Sequence, residues 1–165
     1  MPDQSKVQAR PSGELNAPLP PAARGTRNRQ RGPAASAPVP TPAVTINVGR
    51  QRVLFHVQVA STPEERANGL VGRPSLASDA GVLFVFPQPG LQALSTKDTV
   101  IPVDMIFIGA NRRIVGIIER AQPLSLLASR IGVASQFVLQ IGGGLAAKNG
   151  FHVGQAVELR AIPGV

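Results

Sequence analysis

A carboxylate set inside an apolar run is the group in this sequence best placed to do chemistry. Asp104 falls in Val103-Asp-Met-Ile-Phe-Ile108. Strand alternation puts Val103, Met105 and Phe107 on one face and Asp104, Ile106 and Ile108 on the other. Both faces are apolar, so the strand is expected to be central and Asp104 at least partly buried. An unpartnered buried carboxylate is costly, so a donor has to meet it. The candidate donors are Arg66, Arg73, Lys97 and the backbone amides of the turn at residues 99–101. One reading is a structural clamp; the other is a ligand-binding or catalytic carboxylate. With Asp98, Thr99 and Gln140, these residues form the candidate polar cluster: Arg66, Arg73, Lys97, Asp98, Thr99, Asp104 and Gln140.

Other chemistries find little support. The chain has no cysteine, which removes disulfides, thiol nucleophiles and cysteine-based zinc sites. His56 and His152 are the only histidines and neither has a partner at ligand spacing, so no metal site or cofactor is expected. The sequence holds neither a GxSxG elbow nor a GxxxxGK[ST] phosphate loop. Gly142-Gly-Gly144 could present backbone amides to an anion, or simply make a tight bend after a strand. The bend is the preferred reading.

The elements that must position these groups begin after a change in composition. Residues 1–43 have no Ile or Phe, hold more than half of the 16 prolines, and carry six basic residues against two acidic ones. Such a segment cannot offset its chain entropy by burial and is expected to be a disordered tail. Its run at residues 25–32, with Arg24 just before and Arg27, Arg29 and Arg31 within, offers a weak, nonspecific polyanion contact. Aromatic stacking platforms for single strands are scarce, with six Phe and no Trp or Tyr. No stretch is long and apolar enough for a membrane helix, and no secretory leader is evident, so the chain as written reads as cytoplasmic.

Residues 44–165 are expected to form one domain. Residues 44–48 and 53–59 alternate like strands around a turn at Gly49-Arg50-Gln51, which leaves His56 on the solvent side. Thr62-Pro-Glu-Glu65 is the strongest local signal. Thr62 can cap a helix, Pro63 suits its first position, Glu65 completes a capping box, and Gly69 stops it. Gly81-Val-Leu-Phe-Val-Phe86 predicts a buried strand closed by a turn at Pro87-Gln-Pro-Gly90. Strands are also predicted at 103–108 and 114–120, around a hairpin turn, and at 136–141 and 155–161. One helical turn at 145–149 is stopped by Gly150. About seven short strands with one firm helix point to a mainly β fold, a compact sandwich or barrel with one or two short helices.

The run Val57-Gln-Val-Ala-Ser-Thr-Pro-Glu-Glu-Arg-Ala-Asn-Gly-Leu70, then Arg73, Gly81-Val-Leu-Phe-Val-Phe86, Lys97-Asp-Thr99 and Ile101-Pro-Val-Asp-Met-Ile-Phe107 resembles domain-of-unknown-function family 192. Phe137-Val-Leu-Gln-Ile-Gly-Gly-Gly144 with Gly154 resembles the family's closing motif. The resemblance implies a jelly-roll-like β domain with no established activity, and many relatives are exported. It also implies departures. Ser95-Thr96 stand where the family shows Trp-Met, Gln140 where it shows a glutamate, and Val71 and Val82 where it shows methionines. If the family's acidic pair at Asp104 and position 140 served acid–base work, one member is missing here.

The reading is therefore a non-enzymatic binding or accessory module for an unknown small ligand or protein partner, with no residue assigned a catalytic role. The alternatives are an enzyme acting on a saccharide or cell-envelope substrate through Asp104, Lys97 and Arg66, and nonspecific nucleic-acid binding by the tail.

Overall fold

Val44 and Ile46 alternate with Thr45 and Asn47, and that period of two makes β1 (Ala43–Val48) a strand with one buried face. A two-residue turn, with Gly49 at φ 59, returns the chain antiparallel into β2 (Gln51–Ala60). The left-handed backbone at that corner is available to glycine at little cost. This computed structural model describes residues 38–165. The tail reading and the basic run at Arg24, Arg27, Arg29 and Arg31 lie outside the described residues. Residues 38–42 have no helix or strand. The sheet begins one residue earlier than composition suggests, because Pro42 already accepts the Val57 amide at 3.0 Å and Ala43 is buried.

Helix α1 (Pro63–Asn68) carries the predicted capping box, with Thr62 accepting from the Glu65 amide and the Glu65 carboxylate accepting from the Thr62 amide. It bridges β2 to β3 (Ala80–Gly90), which pair in parallel, as such a crossover allows. The turn expected at Pro87–Gly90 is instead an irregular extension of β3. The register against β8 shifts between Val85 and Gly90, where Pro87 and Pro89 have no amide to give the ladder. Then follow β4 (Ala93–Leu94), β5 (Val103–Ile108), β6 (Ile114–Ala121), β7 (Ser129–Arg130), β8 (Ser135–Gly142), α2 (Leu145–Asn149) and β9 (Val157–Arg160). The strands β4 and β7 have no sequence signal. They are two-residue pieces paired only with each other.

Seven strands form one sheet in the order β6-β5-β8-β3-β2-β1-β9. The sheet curls until its two edges meet at the Arg113–Ala156 bridge, where Val157 donates to the Arg112 carbonyl at 2.8 Å and Ile114 to that of Gln155 at 3.0 Å. The result is a half-barrel. Its interior is filled from all seven strands, with Val44, Phe55, Leu83, Ile106, Ile114, Leu139 and Val157 among the buried side chains and α2 contributing Ala146. The convex face of β3, β8 and β5 is apolar too. Val82, Phe84, Met105, Phe107 and Val138 form a second core there, with Leu70 and Leu94 from the segments that cover it. This explains why β3 and β5 read as continuous apolar runs: both of their faces are buried.

Candidate functional site

Asp104 is fully buried on the inner face of β5. Its donors are backbone amides, none of them those expected. Oδ1 accepts from Arg120 at 2.8 Å and Gly144 at 3.0 Å, and Oδ2 accepts from Ala146 at 2.8 Å. The local geometry supplies each one. Between Val103–Ala121 and Met105–Ile118 the β5–β6 register slips, so Glu119 and Arg120 together oppose Asp104. This β-bulge frees the Arg120 amide from the ladder. Arg120 adopts φ 49, a left-handed backbone disfavoured for a residue with a side chain. Gly144, at φ 90, turns β8 into α2 so that the helix entrance faces the carboxylate.

The anion for the glycine turn is thus inside the molecule. The Gly144 and Ala146 amides go to Asp104, while the Gly143 amide goes to the Pro102 carbonyl at 3.0 Å. Arg66, Arg73 and Lys97 do not reach Asp104. Asp104 joins β6, the glycine turn and α2 through donors that spacing along the sequence could not reveal.

Five of the remaining candidates gather elsewhere. A cleft of about 610 Å³ opens on the convex face between α1 and residues 93–99. Arg66, Lys97, Asp98, Thr99 and Gln140 line it, together with apolar side chains that include Leu70, Phe84 and Leu94. Arg66 is held in place: Nη1 donates to the Ser61 and Val85 carbonyls, and the guanidinium lies 5.1 Å from the Phe86 ring centroid. Lys97 and Asp98 form an exposed ion pair at 3.7 Å on the rim. Arg73 is not part of the cleft and instead donates to Gln58 Oε1.

Gln140 is the unusual residue. It is only 2% exposed, it lies in β8 opposite Met105 of β5 and Val82 of β3, and it shares their convex face. Its side-chain amide makes no hydrogen bond to another described residue. Nor is it sealed in, since among the described residues the one buried side-chain polar atom without a partner is Ser135 Oγ. The amide therefore ends in the cleft. Thr99, 5% exposed, likewise leaves its hydroxyl without a partner among the described residues in the same lining. An amide and a hydroxyl each both donate and accept. The floor of the cleft can thus meet a neutral polar group, its walls an apolar body, and its rim a charge.

Asp104 and Gln140 cannot act as a pair. Asp104 is opposite Ile141, and Gln140 is opposite Met105, so the two side chains leave the sheet on opposite faces. A glutamate at position 140 would be equally remote from Asp104. Among the described residues no three His, Cys, Asp or Glu side chains converge as a metal site would require, and His56 is exposed on β2 as alternation predicts.

A curled, mainly β half-barrel with a polar-floored cleft on its convex face is the class of domain this chain forms. It belongs to domain-of-unknown-function family 192, described as uncharacterized ACR, which matches residues 44–159. Among solved structures it is similar to a protein of unknown function from Novosphingobium aromaticivorans, with 34% identity and a TM-score of 0.68, over 70% of this chain and 83% of that one. It is also similar to a protein from Sinorhizobium meliloti described as a "putative transcription regulator", with 26% identity and a TM-score of 0.71, over 75% of this chain and 97% of that one. No curated protein matches it.

Proposed function

We propose that this domain is a non-enzymatic binding module whose convex cleft takes a small ligand with a neutral polar end and an apolar body. The observation that carries this reading is Gln140, a nearly buried amide aimed into a cleft with no partner among the described residues for its donor or acceptor. Protein interiors seldom leave such a group unpaired without a use for it. Apolar walls with a few convergent polar groups are the usual make-up of a ligand site. The enzymatic alternative through Asp104, Lys97 and Arg66 loses its carboxylate, because Asp104 is on the other face and bound to three amides.

Binding to the folded state raises stability by about 2.7 kcal/mol at a hundredfold excess over Kd. Thermal unfolding of the full chain against small hydroxy- and amide-bearing compounds should therefore reveal ligands as a raised Tm. Gln140→Leu should abolish that rise. A compound that raises the Tm of parent and variant equally binds elsewhere and contradicts the reading.

A second reading rests on the basic run of Arg24, Arg27, Arg29 and Arg31, and on the description carried by the Sinorhizobium meliloti relative. In that reading the chain holds nucleic acid. DNA retention that falls steeply with salt and vanishes when the four arginines are replaced would support it.

A further inference from the structure

We infer that the loop at residues 122–128 is a docking surface for an anionic lipid bilayer. Leu124, Leu126 and Leu127 are 62%, 84% and 81% exposed, three leucines within four residues turned to solvent. Scattered exposed apolar residues are ordinary, but a cluster of this density marks an interaction surface. The loop is also tethered. Thr96 Oγ1 donates to the Gln122 carbonyl at 2.5 Å, the Leu124 amide to that of Thr99 at 3.0 Å, and the Leu127 amide to Ser125 Oγ at 3.3 Å. Immediately beyond it, β7 pairs with β4. Leu124 holds φ 56, a left-handed backbone that a leucine adopts at a cost. The fold thus spends conformational energy on presenting apolar side chains outward, the pattern of strain kept for function.

Charge and shape select the occupant. From Arg120 to Val157 the chain contains Arg120, Arg130 and Lys148 and no Asp or Glu. With Glu119 just before this stretch and the Lys97–Asp98 pair beside Thr99, which accepts from Leu124, the charge flanking the leucines is net positive. The loop has no aromatic residue, and the convex cleft is not lined by its leucines. Protein interfaces concentrate their energy in Trp, Tyr and Arg seated in pockets, with Leu under-represented. A convex apolar tip beside cations fits the headgroup boundary of an anionic bilayer, where apolar burial and surface charge act together without a shaped partner.

The test is sedimentation of the full chain with phosphatidylcholine vesicles that contain phosphatidylglycerol, and with vesicles that lack it. Binding to the anionic vesicles is expected, several-fold weaker on the neutral ones. The Leu126→Ser/Leu127→Ser double variant should lower it at least tenfold with an unchanged Tm. The chain contains no tryptophan, so Leu127→Trp adds a single reporter whose emission should shift to the blue on anionic vesicles. Three results would overturn the inference. One is a parent that leaves anionic vesicles unbound, including the case in which the leucines instead hold a concentration-dependent dimer that the double variant disperses. Another is full retention of binding by the double variant, which assigns the contact to the basic residues before position 38. The last is bound Leu127→Trp protein with no blue shift.

Discussion

Asp104 and Gln140 occupy adjacent strands one position apart in register, and the sheet gives them opposite fates. On the inner side the Asp104 carboxylate joins three segments, β6, the glycine turn and the start of α2, through three backbone amides. Asp104→Asn would turn an NH₂ toward at least one of these donors. A charge-assisted bond is lost and a buried amide goes unpaired, so the variant is expected to lose about 3 kcal/mol. Guanidinium or urea unfolding would measure it; wild-type stability would show that the carboxylate is not the joint. Gly81 is a second residue with no latitude. A Cβ there would sit 2.7 Å from the Gln140 carbonyl oxygen and 3.2 Å from the Ile141 and Leu139 side chains. Because the nearest obstacle is backbone of the neighbouring strand, Gly81→Ala should lower stability by about 1–3 kcal/mol in the same assay.

Among the elements, α1 was the most legible. Its start is written in four consecutive residues, and the hydrogen bonds of its cap are all local. Glu65 is held below its usual carboxylate range by the Ser61 backbone hydrogen bond first, then by those of Thr62 and the Ser61 hydroxyl. A carboxylate lowered in the fold stabilises it above the unfolded-state value, and that support is lost as pH falls through the folded-state value. Acid titration followed by circular dichroism should therefore show Glu65→Gln losing part of the acid dependence of the parent. Thr62→Ala should cost about 1 kcal/mol of unfolding free energy, and an unchanged midpoint would show that the cap contributes nothing globally. The β5–β6 bulge and the β4–β7 pair were not legible. A bulge depends on which residue faces Asp104 across the ladder, and two-residue strands have too little periodicity to leave a signal. For the same reason Asp104 could be read as buried while its donors, Arg120 and Gly144–Ala146, could not be named. The cleft was half legible: Arg66, Lys97, Asp98, Thr99 and Gln140 were each singled out, but only the crossover through α1 shows that they share a face and that Arg73 does not.

At the scale of the molecule, one curled sheet serves two purposes. Its concave side is closed by the Arg113–Ala156 bridge, packed from every strand and tied by Asp104. Its convex side is covered by short pieces, α1 and the β4–β7 flap, with the cleft left between them. Native-state hydrogen exchange should follow this division. Amides of β3, β5 and β8 should open only with global unfolding, while Leu94 and Arg130 exchange at lower free energy. Uniform protection across both would mean that the flap is part of the cooperative core.

The division is tested most directly by urea unfolding of Gln140→Leu beside the parent. If the amide is kept for a ligand, replacing it with an apolar side chain of similar size leaves the unfolding free energy within about 0.5 kcal/mol or raises it, since no native hydrogen bond is broken. A loss of about 2 kcal/mol or more would show that Gln140 is holding the fold together, and the convex cleft would cease to be a binding site on this account.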